Sequence, residues 1–286
     1  MDVFTLYVGQ GALAATRTDT EVIIIDAHMS CGEDDVTQDQ IEHSLKDFIG
    51  KRRVCGLILT GFDDDHACPT GVESILMKHT PDWVMYPKYY KETDAAAEVF
   101  RIIAREEIRR AKTARPLTRH SVRVDVVDSR FFYNLATTFS LELFSPHIDD
   151  MDNSNNCSIM VKIQGLDATG FSYLVTGDTE KERADRIAAI FKNALHSNVM
   201  AAPHHGATNG VSPASLLSIK PNTVLISAGV DNQYEHPDSA AVMVYRRVAQ
   251  HVYATNVEGG RCLFTRKAGS DFQTTLVRHP EPAAVV

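Results

Sequence analysis

Apolar residues in this chain fall in short, dense runs whose period changes from one run to the next. Residues 3–8 (VFTLYV) and 21–26 (EVIIID) are rich in β-branched and aromatic side chains, which predicts two strands joined by a turn containing glycine and threonine. Residues 36–50 place Val36, Ile41, Leu45, Phe48 and Ile49 at helical spacing and close on Gly50, so a helix is expected there. Residues 54–60 (VCGLILT) form an unbroken apolar run, as a buried strand does. The longest helical pattern covers 92–115 and is stopped by Pro116.

Beyond it, 122–127 (VRVDVV) and 139–145 (FSLELFS) predict a pair of strands, and 157–163 with 171–177 a hairpin-like pair. A helix over about 180–195 leads to three short strands within 198–203, 223–229 and 251–256, separated by helix-like segments at 212–219 and 238–250. A last strand pair lies near 261–266 and 272–278. The strands come in two batches, each interleaved with helices, and no repeat or linker divides them. One α/β domain over residues 1–280 is therefore expected, with 281–286 a disordered tail.

Charge and cysteine content narrow the class. The chain has 29 basic and 37 acidic residues, a net of -8, which is no global signature of nucleic-acid binding. One stretch departs from that average. Arg101 to Arg123 holds eight basic residues against Glu106 and Glu107, a local +6 that leaves -14 for the remainder. Arg101, Arg105, Arg109 and Lys112 share one helical face, and such a stripe either follows a phosphate backbone or pairs with acidic neighbours. On the first reading Arg105, Arg109 and Lys112 are substrate contacts. Five cysteines without a CxxC pair imply neither a disulfide framework nor a cysteine-rich zinc knuckle. The start has no leader pattern, and no apolar run approaches the roughly 20 residues that cross a bilayer. A soluble, cytoplasmic protein without a membrane partner is expected.

Five polar clusters stand at the ends of predicted strands, where α/β proteins hold their sites. The first is Asp63, Asp65 and His66 in ILTGFDDDHACPTG. Residues two apart in an extended loop point the same way, so the two carboxylates converge, and a cation beside an imidazole would relieve their repulsion. The others are His147 after 139–144, Asp178 in YLVTGDTE, the adjacent His204 and His205 in APHHGATNG, and His236 in DNQYEHPDSA. Each alone has an ordinary structural explanation; Asp178, for one, could simply cap a helix. Their shared placement at successive strand ends points to a metal.

With these stretches in this order, the sequence resembles the metallo-β-lactamase superfamily, and within it the hydrolase domain of ComEC-type DNA-uptake proteins and their stand-alone relatives. The likeness runs from YVGQGALAATRTDTEVIIIDA to ATNVEGG, about residues 3–265. It implies a four-layer αβ/βα sandwich with zinc or manganese, one or two ions, at one edge. Against the family pattern HxDxDH, this chain reads Gly61-Phe62-Asp63-Asp64-Asp65-His66, so the first histidine is missing. The resemblance assigns Asp63, His147 and Asp178 to one ion. It assigns Asp65, His66, Asp178 and one of His204 and His205 to the other, with Asp178 shared. His28 is a candidate replacement for the lost ligand, and Asp26 is expected to orient a ligand histidine.

The function implied is hydrolysis of a phosphodiester, in nucleic acid or a nucleotide, by a metal-activated hydroxide. Asp63 or Asp65 would orient the nucleophile, and His236 would stabilise developing charge or protonate the leaving group. Two alternatives stand beside it. One is a metal-poor, non-catalytic module that binds a nucleotide or a protein partner, for which Gly61 speaks; the other is an acyl or lactone hydrolase using the same metals.

Overall fold

The computed structural model describes residues 1–29, 36–88, 91–122, 130–144 and 152–281. Strands β1 (Asp2–Thr5), β2 (Ala14–Arg17) and β3 (Glu21–Ile25) form an antiparallel meander. The chain then crosses through α1 (Gln38–Ile49) to β4 (Arg53–Ile58), through α2 (Pro69–Lys78) to β5 (Trp83–Pro87), and through α3 (Asp94–Arg110) to β6 (Thr118–Val122). Strands β3 to β6 pair in parallel, as helical crossovers require.

The second half repeats the plan. Strands β7 (Arg130–Tyr133), β8 (Phe139–Phe144), β9 (Met160–Gly165) and β10 (Ser172–Val175) run antiparallel. Then α4 (Lys181–Phe191) leads to β11 (Val199–Ala201), α5 (Pro213–Ile219) to β12 (Thr223–Ile226), and α6 (Ser239–Val248) to β13 (His251–Ala254), again in parallel. The hairpin β14 (Cys262–Ala268) and β15 (Asp271–Val277) returns to the first sheet beside β1.

Among the described residues the sheets are ordered β15-β14-β1-β2-β3-β4-β5-β6 and β13-β12-β11-β10-β9-β8-β7. Three apolar clusters fill the spaces between layers. Ile41, Leu45, Val72, Ile75 and Val99 pack helices onto the first sheet, while Ile23, Ile25, Ile58, Val161 and Tyr173 fill the space between sheets. Ile187, Leu216 and Tyr245 pack helices onto the second. The result is the four-layer αβ/βα sandwich of the metallo-β-lactamase type. Because β3, β4, β10, β11 and β12 belong to parallel units, their carboxyl ends gather at one edge, which positions the site.

Three local differences from the sequence reading have physical causes. Strand β2 stands where a turn is expected, because Ala14-Ala15-Thr16-Arg17 carries little strand propensity of its own and is held by pairing with both β1 and β3. Strand β8 pairs with β7 and β9, whereas the earlier stretch Thr118–Val122 joins the other sheet against β5; residues 123–127 of the expected strand lie outside the described residues. Helix α3 stops at Arg110, whose buried guanidinium donates to the carbonyls of Pro81 and Arg115 at 2.8 Å each and turns the chain back. No described helix is long and apolar enough to cross a membrane.

Candidate metal centre

Strand β4 feeds a tight turn in which the amides of His66 and Ala67 both donate to the Asp63 carbonyl at 2.9 Å. That turn folds Asp65 and His66 back toward the second sheet. Asp178 arrives from β10 through Gly177, which has φ 53°. A Cβ at Gly177 would stand 2.8 Å from the Ser158 Cβ and 3.0 Å from the Thr60 Cβ, so glycine lets this strand end approach the turn after β4. The Asp178 amide then donates to Ser158 Oγ at 3.1 Å. Beyond β11, His204 and His205 both adopt left-handed φ, 50° and 53°. Such strain costs about 1–3 kcal/mol per residue and persists only where the surroundings impose it. Here the His204 amide donates to the Gly177 carbonyl at 3.1 Å, tying the histidine turn to the Asp178 turn.

The outcome is a cluster in which one ligand atom each from Asp65, His66, Asp178 and His205 lies within 4.8 Å of all the others. His66 Nε2 stands 2.8 Å from Asp178 Oδ1, and His205 Nε2 stands 3.3 Å from Asp65 Oδ2 and 3.7 Å from Asp178 Oδ1. Ligands at the ordinary zinc bond length of about 2.0–2.1 Å in a tetrahedron are separated by roughly 3.3 Å, so these spacings suit one ion. The orientation points the same way. Despite their closeness, His66 Nε2, Asp178 Oδ1 and His205 Nε2 are buried without a properly aligned hydrogen-bond partner, a costly arrangement unless something else completes them.

The opposite ring nitrogens are anchored. His66 Nδ1 lies 3.0 Å from Asp26 Oδ2 and 3.0 Å from Thr60 Oγ1, and His205 Nδ1 lies 2.9 Å from the Ser227 carbonyl. Asp26 is fixed in turn by the Thr60 amide at 2.7 Å. Once the rings are deprotonated, Nδ1–H donating to Asp26 and to Ser227 would leave each with a bare Nε2 lone pair facing the common centre. The orienting role expected of Asp26 matches this geometry.

Without a cation, the same carboxylates favour the protonated rings. Burial lowers the pKa of His66, but Asp178 and Asp26 outweigh it and hold the group well above the ordinary 6.5. His205 behaves alike: burial opposes its charge, and Asp178 and Asp65 raise it. For Asp178 burial raises the pKa and the two imidazoles bring it below 3.8. Asp63 is different. Burial, then Asp65 and Asp178, push its carboxyl up, so it sits in surplus negative charge that a cation would relieve.

These shifts fix the pH response. The raised imidazoles stabilise the metal-free fold fully below their unfolded value of about 6.5, and that contribution is lost as pH rises through their folded values. Metal binding needs both rings deprotonated, so it releases protons and strengthens with rising pH. Calorimetric melting should therefore show a metal-induced rise in Tm that is larger near about pH 8.5 than near about pH 6. A rise independent of pH would contradict this placement of the rings.

A cleft of about 740 Å³ opens over the cluster and is lined by His28, Asp63, Asp65, Asp178, His204, His205 and His236 among others. His204 lies outside the four-residue cluster, its ring 6.0 Å from that of His236. His28 lines the cleft with Nδ1 3.1 Å from the Asp64 carbonyl, and it too lies outside the cluster. His147 lies outside the described residues. The basic stripe is not part of this cleft: Arg105 pairs with Glu73, Arg109 makes two hydrogen bonds to Glu106 at 2.7 and 2.6 Å, and Lys112 lies exposed in the turn after α3. Sequence reasoning passed over Thr60, Ser158 and Ser227, which anchor the cluster, and Tyr234 on the cleft wall. Small hydroxylated residues carry no signal until their neighbours are known.

Comparison with known proteins agrees with this architecture. No protein-family model matches the chain. The chain is 28% identical over 218 residues to ComE operon protein 3 of Bacillus subtilis, a match covering 73% of this chain and 24% of that protein. It is 31% identical over 100 residues to competence protein ComA of Neisseria gonorrhoeae, covering 35% and 13%. The chain thus spans a quarter or less of the length of the curated relatives it matches. Among solved structures, the CmlA β-hydroxylase E377D mutant is similar with TM-score 0.52 at 12% identity, covering 93% of this chain and 54% of that one. The metallo-β-lactamase fold protein YhfI from Bacillus subtilis has TM-score 0.48 at 9% identity, covering 92% and 100%. Topology and relatives bear out the resemblance read from the motifs: the chain has the metallo-β-lactamase type of fold and is similar to ComE operon protein 3 and competence protein ComA.

Proposed function

We propose that the chain is a metal-dependent phosphodiester hydrolase whose cation, zinc or manganese, is held by Asp65, His66, Asp178 and His205. The carrying observation is the convergence of His66 Nε2, His205 Nε2 and one oxygen each of Asp178 and Asp65 within 4.8 Å of one another. A structural scaffold has no need for such a set, since buried polar groups left unpaired are destabilising. A divalent ion bound there supplies Lewis acidity and an activated water.

The protein's own groups divide the remaining work. Asp26 and Ser227 hold the two rings in the tautomer that leaves Nε2 free. Asp63, on the cleft side of the cluster, carries a carboxyl raised by burial and by Asp65 and Asp178, which suits it to accept and hold a proton from the attacking water. Burial leads in lowering the pKa of His236, so this ring is neutral near pH 7 and acts by hydrogen bonding to a phosphoryl oxygen rather than by donating a full proton. The relatives' names, competence protein and ComE operon protein, support nucleic acid or a nucleotide over an acyl ester as substrate.

Purified protein loaded with manganese or zinc should hydrolyse a simple phosphodiester such as methyl p-nitrophenyl phosphate, and an oligonucleotide, with activity removed by chelation and restored by the ion. Inactivity toward phosphodiesters with full metal loading would favour the non-catalytic binding module. Preference for a lactone or thioester would favour the acyl reading.

A further inference from the structure

Resting on the phosphodiesterase reading, we propose that Tyr234 is a stacking platform for one nucleobase of a single-stranded oligonucleotide, placed beside the scissile phosphate. The ring lies on the wall of the same cleft as the proposed metal cluster and is 55% exposed. The Tyr234 and His236 rings are stacked, with centroids 5.8 Å apart and planes at 21°, and the His236 ring meets that of His204 edge-on at 6.0 Å. The rest of the Tyr234 ring is open to solvent on the cleft wall.

The ring is also held in place before any ligand arrives. Asn232 organises the loop between β12 and α6: its Oδ1 accepts from the amides of Tyr234 at 3.2 Å and His236 at 3.0 Å, and its Nδ2 donates to the carbonyls of Gly229 at 2.9 Å and His236 at 2.6 Å. The same loop contains two left-handed residues other than glycine, Asp231 at φ 48° and Glu235 at φ 58°. An exposed aromatic fixed on a rigid loop loses little entropy on binding, which is how a flat π-face becomes a binding surface. The cleft combines this face with a cation site that takes a phosphate, so its two subsites match the base and the backbone of a nucleotide. A base inside a duplex offers no free face, which restricts the ligand to a single strand or an unpaired end.

The experiment compares a single-stranded oligonucleotide with an abasic one of the same length, both cleaved by the manganese-loaded full chain. The wild type should favour the base-bearing strand in kcat/KM by about tenfold, the size of one stacked base. Tyr234→Leu should bring that ratio close to one by raising KM for the base-bearing strand, and Tyr234→Phe should retain it. Equal cleavage of the two strands by the wild type, or an unchanged ratio in Tyr234→Leu, overturns the platform while leaving the phosphodiesterase reading intact. Failure to cleave either strand, or methyl p-nitrophenyl phosphate, overturns both.

Discussion

Exchange of Asp178 for asparagine is expected to weaken divalent-cation binding by more than about 100-fold and to abolish metal-dependent hydrolysis. The substitution is nearly isosteric, so the fold should survive. What it removes is, among the described residues, the buried carboxylate within 4 Å of both imidazoles: Oδ1 lies 2.8 Å from His66 Nε2 and 3.7 Å from His205 Nε2. Loss of an outer partner such as a hydrogen-bonded carboxylate costs about 10- to 100-fold in metal affinity, and loss of a ligand costs more. In the metal-free protein burial lowers the pKa of His66 and His205, and the same exchange removes Asp178, the largest influence that raises it. Titration of the two rings should therefore move down toward ordinary values. Isothermal titration with manganese, beside circular dichroism to confirm folding, makes the measurement; wild-type affinity in Asp178→Asn would remove this carboxylate from the site.

Substitution of Gly61 by histidine is expected to raise the number of ions bound from one to two per chain. At most positions so close to a buried cluster an added side chain would clash. Here an added Cβ meets only Ser158 Oγ, at 3.6 Å, an ordinary contact. Residue 61 stands two before Asp63, and Asp63 lies in the surplus negative field of Asp65 and Asp178 that a second cation would offset. The HxDxDH motif that the sequence resembles has histidine at this position, and the chain matches it at Asp63, Asp65 and His66. Metal analysis of the folded variant reads the outcome; a count that stays at one would show that more than a missing imidazole separates this chain from a two-ion centre.

Much of the proposed site was legible in the sequence because residues able to hold a metal are rare types placed at strand ends. Asp65, His66 and Asp178 belong to that set, and the order of their loops identified the sandwich before any contact was known. The choice between His204 and His205 was not legible. It depends on two successive left-handed residues, imposed by the Gly177 carbonyl and the packing of Gly206, whose Cβ would lie 2.7 Å from Pro237. The anchors were hidden for a related reason: Thr60 and Ser227 act through distances to residues 34 and 22 positions away, Asp26 and His205. The charge of the stripe on α3 was legible but its role was not, since Glu73 and Glu106 meet Arg105 and Arg109 only after the helices pack. Strand β2 was missed because its pairing partners, not its composition, make it a strand.

The most direct measurement is the metal content of the purified chain after loading and dialysis, joined to X-ray absorption of the bound ion. One ion per chain is expected, with two imidazole nitrogens and carboxylate oxygens at about 2.0–2.2 Å if the ion is zinc. A chain that retains no ion, or one whose ion has no imidazole neighbour, would contradict the assignment of Asp65, His66, Asp178 and His205 as a metal centre.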